Sequence, residues 1–163
     1  MTTESGVRRR SAGRFDSPQQ EVYLNLWRTY DRLRIIEDEL FGKHDLTAQQ
    51  YNALRVLRAA HPQTLPTLTL AAKLVSRAPD ITRLLDKLHE RGLVQRERPA
   101  DNRRTVRVGI TAEGIALLDS LAIEVKACHI RQLGHMSADE MKQLVELLRK
   151  ARQCHETPES YWT

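Results

Sequence analysis

Five arginines lie within a short stretch of the chain, and a turn sequence interrupts them. They are Arg96, Arg98, Arg103, Arg104 and Arg107, and Pro-Ala-Asp-Asn at 99–102 lies among them. A proline at this point opposes a continuous helix, so ion pairs along one helix do not explain the charge. A guanidinium is always charged and its planar fork matches phosphate oxygens. The residue types and their spacing therefore favour binding to a polyanion.

The positive charge of the chain is concentrated between residues 76 and 107. This segment has nine basic and five acidic residues, whereas the rest of the chain has 17 and 16. The formal net charge of all 163 residues is +5. Such a local excess is the electrostatic footprint of a polyanion-binding surface. On charge alone, a solvated surface with a chance imbalance explains the pattern equally well.

Composition and motifs exclude several other classes. Hydrophobic residues are 40% and charged residues 29%, and no apolar run is long enough for a membrane span or a secretory signal. The two cysteines, Cys128 and Cys154, form no disulfide framework, so we expect a cytoplasmic location and a buried, inert Cys128. There is no glycine-rich phosphate loop, nucleophile elbow, HExxH motif or metal-ligand spacing of histidines. The sequence therefore predicts no enzyme, cofactor, metal or membrane partner.

Helical periodicity precedes the basic segment. Residues 1–16 are polar and aperiodic over most of their length and are predicted to be a disordered tail. The first helix begins at the cap Ser17 and ends at Gly42, and the second begins with a capping box of Thr47 and Gln50. The first helix has the apolar stripe Val22, Leu26, Tyr30, Leu33, Ile36 and Leu40.

The basic segment itself predicts a winged helix. "TLTLAAKL" is a short helix, and "PDITRLLDKLHERG" is a second one with a leucine stripe and Gly92 as its C-cap. Two short helices joined by a tight turn, with basic residues on the second, are typical of a helix-turn-helix. Strand patterns at 93–98 and 105–110 follow, joined by "PADNRR". The opening arginines therefore lie on a β-hairpin, where Arg96 and Arg107 are predicted to contact phosphates or remain solvated.

Two more helices complete the chain. Thr111 caps the first, with the predicted apolar stripe Ile115, Leu118, Ala122 and Val125, and a capping box from Ser137 to Glu140 begins the second. The last helix carries the stripe Met141, Leu144, Val145 and Leu148 towards Cys154, and 155–163 is a tail.

The order and spacing of four segments resemble the MarR (multiple antibiotic resistance regulator) family of bacterial transcription regulators. The segments are "LTAQQYNALRVL", "LTLAAKLVSRAPDITRLLDKLHERGLVQRE", "DNRRTVRVGIT" and "AEGIALL", within roughly residues 17–150. The resemblance implies a mainly α fold: a winged helix-turn-helix with a two-stranded β-hairpin wing, and intertwined N- and C-terminal helices that form a dimer. It divides the ordered chain, 17–154, into dimerisation helices at about 17–42 and 111–154 and a DNA-binding lobe at about 46–110.

The resemblance also implies which residues meet DNA. The recognition helix is about Ala78 to Arg91 and enters the major groove, while a wing arginine enters the minor groove. The implied major-groove residues are Arg77, Asp80, Thr82 and Arg83, and the implied wing residues are Arg98, Arg103 and Arg104. Asp80 has two readings: it accepts a hydrogen bond from a cytosine amine, or it complements the helix dipole.

The register of the wing has two alternatives. The family usually has Asp-x-Arg in the wing, and counting back nine residues from Thr111 gives Asn102. In that register Arg104 is the minor-groove arginine and Asn102 replaces the aspartate. If the loop has one extra residue, Asp101 serves instead.

The sequence thus predicts a regulator, most readily a repressor, that binds a pseudo-palindromic operator in double-stranded DNA as a homodimer. The resemblance implies release by a small organic effector, often aromatic or anionic, but no effector site is assigned. The alternative is a winged-helix module that binds a protein partner without specific DNA binding.

Overall fold

The computed structural model describes residues 15–76, 78, 80–98 and 105–156. Three of the predicted DNA-binding residues, Arg77, Arg103 and Arg104, lie outside the described residues, as does most of each predicted tail. The chain divides into two compact units, Met1–Ile35 and Ile36–Thr163. The described part of the first unit is mainly one helical segment, and the second unit holds all the other elements.

Six helices and three short strands make up the described chain. They are α1 Pro18–Gly42, α2 Ala48–Ala60, β1 Leu65–Pro66, α3 Thr67–Lys73, α4 Ile81–Glu90, β2 Val94–Glu97, β3 Arg107–Ile110, α5 Ala112–Leu133 and α6 Ala138–Gln153. The predicted mainly α fold is confirmed. None of the described helices has the length and apolar character needed to cross a bilayer.

Four of the predicted helix starts are confirmed by their hydrogen bonds. The hydroxyl of Ser17 accepts from the backbone N–H of Gln20. Thr47 forms its capping box with Gln50, and Ser137 forms the same reciprocal pair with Glu140. Thr111 accepts from the N–H of Gly114. Each cap satisfies backbone donors that the first turn of a helix otherwise leaves unpaired.

Helix α1 ends at Gly42 as predicted, but a different residue adopts the left-handed conformation that closes its last turn. The last helical residue is Gly42, but the left-handed residue that terminates the turn is Asp45, with φ of 53°. The N–H of Leu46 donates to Phe41 O at 3.0 Å, and that of Asp45 donates to Gly42 O at 3.3 Å. This is a Schellman motif, and aspartate is one of the few residues with a side chain that tolerates it.

The sheet has one strand more than predicted. Its order is β1-β3-β2, and both pairs are antiparallel, with Val94 opposite Ile110 and Leu65 opposite Val108. The predicted hairpin of β2 and β3 is confirmed. The strand β1 was not predicted because two residues, one of them proline, give no alternation of apolar and polar side chains.

The core lies in the second unit and is built mainly from leucines. The α4 stripe is confirmed, since Leu84, Leu85 and Leu88 are buried. Other core residues come from α2, α3, the sheet and α5: Leu54, Leu57, Leu70, Val94, Val108, Leu118 and Leu121. The predicted α5 stripe is wrong at Ala122, which is exposed, because the larger apolar side chain of Leu121 fills the core position beside it.

Candidate nucleic-acid interface

The turn between α3 and α4 sets where the second helix of the helix-turn-helix begins. The predicted start at Ala78 is wrong: α4 begins at Ile81, and Asp80 is its N-cap. The Oδ1 atom of Asp80 accepts a hydrogen bond from Arg83 N at 2.9 Å. This contact uses the carboxylate to satisfy the helix terminus, which supports the dipole interpretation of Asp80 over a contact with cytosine.

The other end of α4 is fixed by glycine, as predicted. Gly92 has φ of 68°, a left-handed conformation that glycine adopts without strain. Gly92 N donates to His89 O at 2.9 Å and Leu93 N donates to Leu88 O at 3.0 Å, which together form a Schellman motif. The chain therefore leaves α4 sharply and enters β2 within three residues.

One face of α4 presents side chains to solvent. Thr82, Arg83 and Lys87 are exposed, opposite the buried leucines. Among the residues that the structure describes, neither the Arg83 guanidinium nor the Lys87 ammonium has a hydrogen-bond or ion-pair partner. Their charges are therefore available to a partner outside the chain, and phosphates or guanine edges are suited to both.

The predicted wing arginines are only partly described. Arg98 is exposed directly after β2, where the chain leads towards the tip. Arg103 and Arg104 belong to the tip, at 99–104, which lies outside the described residues. The structure therefore places one of these three arginines, on the exposed approach to the tip.

Arg96 and Arg107, predicted to contact phosphates or remain solvated, both form hydrogen bonds within the protein. Arg107 donates from Nε to Thr64 Oγ1 at 2.9 Å and from Nη2 to the Thr64 carbonyl. The hydroxyl of Thr64 in turn donates to Glu97. Arg96 donates from Nη1 to Asp86 Oδ1 at 2.6 Å. The partners Thr64 and Asp86 are distant in sequence, so strand alternation gave no signal of these contacts.

The buried cysteine was also predicted to be inert. Cys128 lies on α5 and only 7% of its surface is exposed. Burial raises the pKa of its thiol, and the nearby carboxylate of Glu37 raises this pKa further. The thiolate is the reactive form, so the raised pKa and the burial both support the prediction. Cys154 is exposed.

A helix-turn-helix followed by a β-sheet wing, with basic side chains on its second helix that have no partner in the described part of the chain, defines a winged-helix DNA-binding fold. Residues 46–106 match the model of the MarR family. The chain is 54% identical to a MarR transcription factor from Planctomyces limnophilus, whose crystal structure superposes with a TM-score of 0.67. That match covers 83% of this chain and 98% of the other. The chain belongs to the MarR family and is a transcription regulator.

Two more distant proteins are also similar to this chain. The homoprotocatechuate degradative operon repressor of Escherichia coli is 28% identical over 106 residues, which are 65% of this chain and 70% of the repressor. A structure of BpsR from Bordetella bronchiseptica concerns the regulation of its DNA binding by 6-hydroxynicotinic acid. BpsR is 24% identical to this chain, and the match covers 80% of this chain and 98% of BpsR with a TM-score of 0.72. At this identity the similarity shows the fold alone.

Proposed function

We propose that this chain is a repressor that binds a pseudo-palindromic operator as a homodimer in the cytoplasm and is released by a small organic effector. One observation carries the proposal: α4 has exposed basic side chains with no partner among the described residues. The repressor from E. coli supports the direction of regulation, because it has a similar sequence.

The proposed DNA contacts divide between two grooves. Helix α4 lies in the major groove, where Arg77, Thr82 and Arg83 contact base edges or phosphates. The wing lies over the minor groove, where Arg98 contacts a phosphate and either Arg103 or Arg104 inserts into the groove. We assign Asp80 to the N-cap of α4, where its carboxylate accepts a hydrogen bond from the backbone N–H of Arg83 and so positions that residue.

The proposed dimer covers apolar surface that a single chain exposes. Helix α6 has no buried residue, and Ile123 and Ile130 of α5 are 83% and 60% exposed. In the first unit, α1 exposes Val22, Tyr23, Trp27 and Tyr30. We propose that 17–42 and 111–154 pair between subunits and that 46–110 forms the DNA-binding lobe, since large apolar patches on a soluble protein mark association sites.

The proposed effector is a small aromatic or anionic molecule. Two similar proteins support this class, one named for repression of homoprotocatechuate degradation and one regulated by 6-hydroxynicotinic acid. Titration of the protein–DNA complex with aromatic acids tests the proposal, and release of DNA by at least one of them is the expected result.

The proposed function is tested by selecting duplexes from a randomised pool with the wild-type protein. We expect a pseudo-palindromic sequence with half-sites about one helical turn apart, and a mobility shift on this selected duplex that exceeds the shift on a scrambled duplex. The alternative, a module for protein partners, predicts no enriched sequence and no preference between the two duplexes. The exposed basic side chains of α4 favour DNA over this alternative.

The wing arginines give a prediction of their own. Replacing the inserted arginine with alanine is expected to weaken operator binding by about 1–3 kcal/mol, as for a specific contact, and most on A·T-rich flanks, where the minor groove is narrow. Operator binding by Arg103→Ala and Arg104→Ala, each with a thermal melt, checks this. Loss at Arg104 indicates the register with Asn102, and loss at Arg103 the register with Asp101. Wild-type affinity in both variants would contradict the wing contact.

A further inference from the structure

Arg96 joins the sheet to α4 through two directional hydrogen bonds. Its Nη1 donates to Asp86 Oδ1 at 2.6 Å, and its Nη2 donates to the carbonyl oxygen of Thr82 at 3.3 Å. Thr82 and Asp86 are four residues apart, so they lie one above the other on the same side of the helix. One planar guanidinium therefore bridges successive turns of α4.

This contact is partly exposed to solvent, but the arginine is held in place. The side chain of Arg96 is 26% exposed and that of Asp86 is 47% exposed. The Nε atom of Arg96 is buried and has no hydrogen-bond partner in the described part of the chain. The backbone of Arg96 is fixed as well, because it pairs with Val108 in the middle strand of the sheet. Two of the guanidinium donors are therefore engaged by α4.

The packing of α4 on the core leaves the helix free to rotate slightly about its own axis, and the contact with Arg96 removes this freedom. Burial of Leu84, Leu85 and Leu88 determines how closely the helix packs on the core. Apolar burial is non-directional, so it tolerates a small rotation of the helix about its axis. Hydrogen bonds depend on direction, and a functional side chain needs placement within about 0.5 Å and 10–20°. The Arg96 contacts meet the first two turns of α4, where Thr82 and Arg83 lie.

We propose that Arg96 and Asp86 form a positioning pair, which fixes the rotation of α4 relative to the wing and thereby sets operator specificity without touching DNA. The proposal rests on the operator binding proposed above. It assigns a favourable role to a carboxylate of the proposed recognition helix, although a carboxylate near phosphates otherwise repels DNA.

The direction in which Asp86→Ala changes the affinity for DNA distinguishes the two possible roles of Asp86. If Asp86 contributes only negative charge, Asp86→Ala strengthens DNA binding or leaves it unchanged. If Asp86 holds Arg96, the same change weakens binding to the selected duplex, because the rotation of α4 relative to the wing is no longer fixed. Glu90→Ala is the matched control: Glu90 is exposed one turn further along α4, and it has no side-chain partner among the described residues.

The experiment titrates wild type, Asp86→Ala, Glu90→Ala, Arg96→Met and the double variant Asp86→Ala/Arg96→Met into the selected and the scrambled duplex. We expect Asp86→Ala to weaken binding to the selected duplex roughly tenfold, the size of a lost charge-assisted hydrogen bond, with no loss on the scrambled duplex. Glu90→Ala is expected to bind both duplexes as well as wild type or better. The double variant should bind the selected duplex no more weakly than Arg96→Met, because both changes remove the same contact.

Thermal melts of each variant show that the titrated protein is folded. If Asp86→Ala is unfolded in the assay, Asp86→Asn against Glu90→Gln makes the same comparison with smaller changes. Wild-type or tighter binding of the selected duplex by the folded Asp86 variant overturns the positioning pair while leaving operator binding intact. Failure of the wild-type protein to enrich any duplex overturns operator binding itself, and the positioning pair with it.

Discussion

Replacing Met141 and Val145 together with lysine is expected to convert the protein from a dimer to a monomer. The two side chains lie four residues apart on α6 and are 38% and 47% exposed in the single chain. In the proposed dimer they are covered by the partner, so each lysine would place a charge in an apolar interface. A buried unpaired charge costs several kcal/mol, which is enough to dissociate most dimers.

The same variant is expected to lose operator binding by roughly a hundredfold to ten-thousandfold, because a monomer loses the effective concentration that links two half-sites. Light scattering measures the mass against 18.8 kDa for one chain, and a mobility shift measures affinity. The matched control is Gln143→Lys/Glu146→Lys, which adds two lysines at exposed polar positions of the same helix. The dimer proposal is wrong if the wild-type protein is monomeric at micromolar concentration, or if Met141→Lys/Val145→Lys remains dimeric.

Adding one methyl group at Gly114 is expected to destabilise the protein, whereas adding it at Gly42 is expected to stabilise it. A Cβ at 114 would overlap the carbonyl oxygen of Leu93 and lie 2.7 Å from Cγ1 of Ile110. That carbonyl cannot move freely, because it accepts a hydrogen bond from Thr111 N at 3.2 Å. Overpacking of this kind costs about 1–3 kcal/mol, even though alanine is the better helix former.

Gly42 is the matched position, since it is the last residue of α1 and a Cβ there would meet nothing within 4 Å. Gly42→Ala is expected to gain about 0.5–1 kcal/mol from the reduced conformational freedom of the unfolded chain. Denaturant unfolding of Gly114→Ala, Gly42→Ala and the wild type gives the three free energies. Equal shifts of the two variants would contradict the close packing of α5 against the start of β2.

Features that depend on neighbouring residues were predicted well from the sequence. The caps Thr47, Thr111 and Ser137 and the leucine stripe of α4 depend on spacings of three and four residues, which a sequence displays directly. The left-handed glycine Gly92 was predicted for the same reason. The fold class and the exposed basic face of α4 follow from these local patterns.

Features that depend on contacts between distant segments were not predicted. Arg96 and Arg107 looked like DNA-binding residues because they are arginines in a basic hairpin, but their partners Asp86 and Thr64 come from other elements. The strand β1 is recognisable only through its pairing with β3. The positions that α5 buries depend on which side meets the core, and a four-residue step pointed to Ala122 instead of Leu121.

The most direct test of the central claim, that α4 reads the major groove of an operator, is a methylation-protection experiment on the selected duplex. Dimethyl sulfate modifies N7 of guanine, which faces the major groove. The wild-type protein is expected to protect guanines in two clusters about ten base pairs apart, one for each subunit. Arg83→Ala, at a concentration that still saturates the duplex, is expected to leave at least one guanine in each cluster unprotected. A pattern that Arg83→Ala does not change would assign Arg83 to a phosphate. An absence of N7 protection in the wild-type complex would contradict the claim.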